Sequence, residues 1–262
     1  MKLDLYQVDA FTEEIFRGNP ACVVPLKNWL PDEILFKITK ENAVAETAFF
    51  VDNGNSIHLR WFTPEIEMDL CGHATLATAH VLHTIMNYGK KRIIFTTVSG
   101  ELVVTIHNDV YSLNFPSRKP VPAALPEIIG KSLNIKPKYV LKSRDYVLVY
   151  ETEQEIKDIV VDRQMFDQIN LDPGGVVLTA KGDESDFVSR YFTPQSTILE
   201  DPVTGSAHCS LIPYWKEQLN KIEMIATQIS ERRGTLYCSD QGERVLISGK
   251  ARTYSIGNLW IK

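Results

Sequence analysis

Cysteine is scarce in this chain, four residues in 262, and Cys22, Cys71, Cys209 and Cys238 lie far apart with no paired spacing. That scatter argues against a disulfide framework or a thiolate metal cage and makes a reducing cytoplasm the expected compartment. No apolar run approaches the roughly 20 residues of a membrane span. The first residues enter an alternating strand pattern (Leu3, Leu5, Val8) instead of a secretory leader. Long basic runs are also missing: 28 Lys and Arg stand against 33 Asp and Glu, a formal net charge of −5. Nucleic acid and anionic membrane surfaces are therefore poor partners, although local anion binding stays open. The glycines form neither a phosphate loop nor a dinucleotide fingerprint. A Gly-x-Ser-x-Gly elbow and a His-Glu-x-x-His zinc motif are likewise lacking.

What the chain does have is a stretch at residues 60–86 around which the rest is organised. Gly72 permits a tight turn into a helix that is apolar on nearly every side (Ala74, Leu76, Ala77, Ala79, Val81, Leu82, Ile85, Met86), the pattern of a helix buried all round. The free N–H groups and positive dipole end at its start predict a bound carboxylate of a small molecule near Gly72 and His73.

Residues 190–211 repeat the Arg-aromatic-Phe-Thr-Pro opening of that stretch and again run through small residues into an apolar segment. The offset from Arg60 to Arg190 is 130 residues, and without a gap it also pairs Asp32 with Asp162, Phe36 with Phe166, Phe62 with Phe192 and Cys71 with Asp201. A duplicated chain with 44% hydrophobic residues suits two domains with a core each. Pro116, Pro120, Pro122 and Pro126 mark the boundary, giving domains 1–116 and 117–262, with the return of the last strand to the first domain left open. Expected elements include an N-terminal strand, a helix after Pro31, an irregular passage at 42–46 holding Glu46, a strand at 47–51 and a hairpin around Ser99-Gly100. In the second half a helix is expected near 162–169, and Pro213 requires a late start or a kink in the second central helix.

Six segments together carry a resemblance to a known family: Asp9-Ala10-Phe11-Thr12, Gly18-Asn19-Pro20-Ala21, Ala45-Glu46-Thr47-Ala48-Phe49, Arg60-Trp61-Phe62-Thr63-Pro64, Cys71-Gly72-His73-Ala74-Thr75 and Asp201-Pro202-Val203-Thr204-Gly205-Ser206-Ala207. In this order, and over the whole length, the chain resembles the PhzF-like phenazine-biosynthesis family, within the diaminopimelate-epimerase-like fold. The resemblance implies an α+β chain of two pseudo-symmetric domains, each a mostly antiparallel β-barrel around a central helix. It implies an active site in the cleft between them, a homodimer, and isomerisation without metal or organic cofactor. Its catalytic positions fall on Glu46, His73 and Asp201, and its substrate contacts on Gly72, Gly205 and Ser206. In the related epimerases two cysteines oppose each other. The first falls on Cys71, the second on Asp201, which argues against a two-thiol racemase.

Each candidate has a plainer reading. Glu46 sits among Ala43, Val44, Ala45, Ala48, Phe49 and Phe50; apolar neighbours favour its neutral form and suit it to passing a proton both ways, whereas the plain alternative is a solvated loop residue. His73 either relays a proton or satisfies the helix mouth, and Asp201 either acts on substrate or caps a helix. Packing is the more frequent reason for a small buried residue such as Cys71. His73, His80 and His83 with Cys71 share helical spacing but lack a compact ligand motif, so no metal is expected. His208 and Cys209 are as easily core or cap. The main expectation is a cofactor-independent isomerase acting on a small carboxylated, cyclic or amino-acid-like substrate. The alternatives are an epimerase using Cys71 and a carboxylate-binding protein without turnover.

Overall fold

A computed structural model describes residues 1–54, 56–171 and 174–261. The chain divides into two units, Met1–Asn114 with Ile247–Lys262, and Phe115–Leu246. The final segment, whose return to the first domain the sequence leaves open, groups with the first unit.

In the first unit the strands are β1 (Lys2–Ala10), β2 (Asn19–Leu26), β3 (Glu46–Asp52), β4 (Ile57–Phe62), β5 (Glu67–Met68), β6 (Arg92–Thr97), β7 (Gly100–His107) and β8 (Val110–Pro116). The helices are α1 (Asp32–Asn42) and α2 (Gly72–His80). In the second unit β9 (Val121–Pro122), α3 (Glu127–Ser132), β10 (Tyr139–Lys142), β11 (Tyr146–Val149), α4 (Glu153–Asp158), α5 (Arg163–Phe166), β12 (Val176–Lys181), β13 (Phe187–Phe192) and β14 (Glu200–Asp201) precede α6 (His208–Leu219). After α6 come β15 (Glu223–Gln228), β16 (Gly234–Asp240) and β17 (Arg244–Gly249), and β18 (Ala251–Trp260) closes the sequence.

Strand pairing shows the duplication directly. In the first unit β1 and β2 are antiparallel, β2 and β3 parallel, β3 and β4 antiparallel; β4 then takes β5 antiparallel and β6 parallel, and β6 and β7 form a hairpin. In the second unit β10, β11, β12, β13, β14, β15 and β16 repeat that series, antiparallel and parallel in the same places. The first unit adds β18, antiparallel to β1 from Lys2 opposite Trp260 to Ala10 opposite Ala251. No helix among the described residues is long and apolar enough to cross a membrane.

An arginine holds the equivalent turn in each unit. Arg60 on β4 makes a two-pronged ion pair with Glu67 on β5 at 2.7 and 2.6 Å and lies over the Phe62 ring. Arg190 on β13 does the same with Glu200 on β14 at 2.7 and 2.8 Å, over Phe192. The turns differ in length: Thr63 N–H donates to the Ile66 carbonyl, but Thr193 N–H donates to that of Leu199. Three extra residues therefore sit in the second turn. The gapless pairing of Cys71 with Asp201 fails for this reason. Asp201 lies opposite Tyr191 as Met68 lies opposite Trp61, so past the turn Cys71-Gly72-His73 corresponds to Thr204-Gly205-Ser206.

All nine residues of α2 are buried, as an all-round apolar pattern requires. Its threonines pass their hydroxyls back into the helix, Thr75 to the Cys71 carbonyl at 2.6 Å and Thr78 to that of Ala74 at 2.7 Å, which removes the cost of burying an unpaired hydroxyl. The expected continuation to Met86 is not α-helical: residues Val81–Ile85 form a π turn closed by Met86 N–H on the Val81 carbonyl. Pro213 lies inside α6. The helix starts late, at His208, and the Cys209 carbonyl that a residue 213 N–H would have met accepts Arg118 N–H at 2.9 Å instead. The expected helix at 162–169 is the short α5, capped by Asp162 at the Gln164 and Met165 N–H groups. α4 was not expected, although Thr152 and Glu155 form a reciprocal capping box there.

Candidate active site

Glu46 is the first residue of β3, not part of an irregular passage, and β2 runs parallel to it with Ala21 beside Glu46. Asn19 opens β2, Cys71 is the N-cap of α2 and His73 lies in its first turn. These elements bring three of the first unit's polar groups onto one imidazole. Glu46 Oε2 is 3.0 Å from His73 Nε2, Asn19 Nδ2 is 3.2 Å from His73 Nδ1, and Cys71 Sγ is 3.7 Å from the same nitrogen. The side chains of His73 and Glu46 are 5% and 15% exposed. Although Nε2 and Oε2 are in ion-pair range, neither makes an aligned hydrogen bond. A carboxylate oxygen and a ring nitrogen thus face each other, buried and in reach but out of line for a hydrogen bond.

Burial disfavours charge on His73, but its neighbours outweigh burial and hold it well above the ordinary 6.5. Burial pushes the Cys71 thiol up. A thiol held protonated lends no charge to His73, so at neutral pH the upward push comes from Glu46. As placed, Asn19 Nδ2 donates to Nδ1, which puts the ring proton on Nε2, facing Glu46; an imidazolium needs the Asn19 amide turned to present Oδ1. Cys71 provides no side-chain cap for α2, so the N–H groups at Gly72 and His73 are not taken by their cap residue.

In the second unit, Asp201 ends the short β14, and Thr204 Oγ1 donates to its Oδ2 at 2.5 Å. Gln228, fully buried on β15, donates to the Asp201 carbonyl at 2.6 Å and accepts the Thr204 N–H at 2.8 Å. Ser230 donates to the Pro202 carbonyl at 2.7 Å. The segment from Asp201 to Thr204 is therefore fixed from β15 and the residues after it. Gly205 and Ser206 belong to the turn that leads into α6, their carbonyls accepting His208 and Cys209 N–H groups. Asn19, Thr204 and Gln228 were assigned no role from sequence. Asn19 and Thr204 lie inside the family-like segments; Gln228 has no local signal. An open depression of about 850 Å³ in this unit, lined in part by Lys142, Arg144 and Tyr146, contains none of the candidate residues.

His73, His80 and His83, which share helical spacing, have separate partners. His80 is held by the Tyr111 hydroxyl at 3.0 Å and the Thr253 hydroxyl at 2.9 Å, and His83 packs on Tyr111. His208 is fully buried with Nδ1 on the Thr204 carbonyl at 2.9 Å. Burial brings both His80 and His208 down to about 4, which sets a pH dependence for stability. Unfolded histidine protonates near 6.5, so below that pH the unfolded chain binds more protons than the folded one. Stability present above 6.5 drains as pH falls toward 4, by up to about 1.4 kcal/mol per pH unit per histidine. His73, shifted upward, completes its proton uptake above this window. Urea unfolding at pH 6.5, 5.5 and 4.5 is expected to show the fall, and His80→Gln to make it shallower; equal stability at all three would contradict it.

A sequence model of the family described as phenazine biosynthesis-like protein matches residues 8–257. An uncharacterized isomerase of Pseudomonas aeruginosa is 46% identical over 260 residues, 99% of each chain. The crystal structure of a PhzF-family phenazine biosynthesis protein from Enterococcus faecalis superposes with a TM-score of 0.95 at 43% identity, covering 100% of both chains. A hydroxyproline epimerase from Agrobacterium vitis, at 9% identity and a TM-score of 0.61 over 98% of this chain and 92% of its own, shares the fold alone.

Proposed function

This chain belongs to the phenazine biosynthesis-like (PhzC-PhzF) family and is an isomerase of the diaminopimelate-epimerase-like fold, and from that premise we propose that it moves a proton on a small carboxylated substrate by side-chain acid–base chemistry alone. The observation that carries the reading is the buried approach of Glu46 to His73 at 3.0 Å without an aligned hydrogen bond. A group that takes a proton from one carbon and returns it to another must be tolerable in both forms. Glu46 meets that need because the imidazole beside it, held charged, steadies the carboxylate, while burial tolerates the neutral acid. The N–H groups at the start of α2 supply an anion site beside it, suited to the substrate carboxylate and to charge that develops as the C–H bond breaks. Asp201, with its segment held by Thr204 and Gln228, suits a fixed acceptor for a polar group of the substrate more than a mobile shuttle.

The epimerase alternative requires Cys71 as a base, and burial works against its thiolate. Incubating the protein in deuterated water with a panel of small cyclic and amino-acid-like carboxylic acids, read by proton NMR, tests both readings. The expected result is a double-bond or positional isomer formed from one of them at a rate that Cys71→Ala lowers less than tenfold. Loss of turnover by orders of magnitude in Cys71→Ala, with deuterium entering an inverted stereocentre, would establish the thiol reading instead.

A further inference from the structure

Cys71 and Glu46 approach opposite nitrogens of the same ring, Nδ1 and Nε2. Their potential ligand atoms all lie within 4.8 Å of one another, but one imidazole nitrogen cannot serve both. The arrangement divides into an inner pair and an outer support. Zinc–sulfur and zinc–nitrogen bonds of about 2.3 and 2.0 to 2.1 Å at a tetrahedral angle put the two ligand atoms roughly 3.5 Å apart. Cys71 Sγ and His73 Nδ1 are 3.7 Å apart. A histidine that ligates through one nitrogen commonly gives its other N–H to a carboxylate; here Glu46 stands at that other nitrogen, 3.0 Å away. Asn19, fully buried at the Nδ1 edge, can offer Oδ1 as a third donor by turning its amide. His73 itself is 4% exposed, and its Nε2 has no aligned hydrogen bond.

We propose that Cys71 and His73 form a capture site for one thiophilic divalent cation, Zn²⁺ in the first place, with Glu46 as its supporting carboxylate, and that occupancy inhibits the enzyme. The proposal rests on the reading of Glu46 and His73 as the proton-transfer pair: the cation is an inhibitor of that pair, not a cofactor. Capture replaces the Cys71 S–H bond by a sulfur–metal bond and the Nδ1–H bond of the protonated His73 by a nitrogen–metal bond, both protons passing to solvent while Nε2 keeps its proton toward Glu46; no electrons are transferred. The positive end of α2 opposes a hard cation held by oxygen alone, so selectivity falls to ions that gain from thiolate bonding. With His73 tied at Nδ1 and its Nε2 proton committed to Glu46, the carboxylate can no longer cycle.

The test uses the full chain, freed of metal by dialysis against a chelator, with Co²⁺ as a spectroscopic probe. One equivalent is expected to give the near-ultraviolet absorption of a thiolate–cobalt bond, and Zn²⁺ is expected to displace it. Cys71→Ser should abolish the band, and Glu46→Gln should weaken Co²⁺ binding by about tenfold or more. Where Cys71→Ser fails to fold, X-ray absorption on the wild-type Co²⁺ complex reads the sulfur and nitrogen ligands directly. No thiolate band, a band that survives in Cys71→Ser, or a shell of oxygen atoms only would overturn the site. Because the band reports binding without substrate, its absence would leave the isomerase reading standing. A band without inhibition of the isomerisation would sever the site from turnover and overturn the inhibitory half.

Discussion

Glu46→Gln is expected to lower turnover by about two to four orders of magnitude, the usual worth of a positioned general acid–base group, while ligand affinity changes by no more than a few-fold. Glutamine keeps the shape of the side chain and its capacity to face His73 Nε2 from the start of β3. It cannot take up and return a proton. A loss confined to the chemical step appears as a fall in kcat with little change in KM. The immediate surroundings make the substitution clean: Thr47 is buried between Phe62 and Cys22 in the sheet register, so β3 stays anchored whichever side chain precedes it. Steady-state kinetics on the isomerised acid, with calorimetric binding of the same acid, is the measurement. Turnover within tenfold of wild type would remove Glu46 from the mechanism, and equal losses in affinity and turnover would make it a binding residue.

The second large effect concerns stability. Arg190 pairs with Glu200 through two nitrogens, and its Nη1 also donates to the Ile156 and Ile159 carbonyls at 3.1 and 3.0 Å, at the end of α4. Its side chain is 16% exposed and that of Glu200 23%. Arg190→Met keeps much of the packing on Phe192 but strands a largely buried carboxylate and two carbonyls. Breaking such a pair from one side costs about 3 kcal/mol. Arg60→Met is expected to cost less, about 2 kcal/mol, since Arg60 makes the same two-pronged pair with a Glu67 side chain that is 32% exposed, but its further partner is an Asp32 side chain that is 59% exposed and not two carbonyls. Urea unfolding followed by circular dichroism compares the two; equal losses would show that the carbonyl contacts of Arg190 contribute nothing.

The contrast between Arg60 and Arg190 also shows how far residue patterns reach. The repeated Arg-aromatic-Phe-Thr-Pro segment was visible as letters, and the strand pairing around it is the same in both units. The three residues added after Thr193 were not visible, because a gapless offset works up to that turn and then fails silently, pairing Cys71 with Asp201 where the register pairs Cys71 with Thr204. Glu46 was legible as an anomaly, a carboxylate in an apolar run, yet its place on a strand was not, since Ala43 to Ala45 carry no strand signal. Cys71, Gly72 and His73 were placed correctly at a helix start because glycine and a run of small apolar residues specify that geometry locally. Gln228 lies 24 residues beyond Thr204 in sequence and was invisible for the opposite reason: its role depends on β15 pairing with β13, a contact that no local spacing encodes. The late start of α6 followed from Pro213, but the use of Arg118 N–H to cover the Cys209 carbonyl required a partner 91 residues away.

The pairing of β1 with β18 imposes an order in time. A ribosome making this chain extrudes Glu46, His73 and the rest of the first unit early, but β1 cannot gain its partner on that edge until the last ten-residue strand appears. The intervening segment, Phe115–Leu246, holds its own repeated sheet and can close first. At the usual 5 to 20 residues per second, the first unit waits on the order of ten seconds with one edge of β1 open. An exposed edge of that kind is a template for wrong pairing. The half of the molecule translated first is thus the half most dependent on prompt completion.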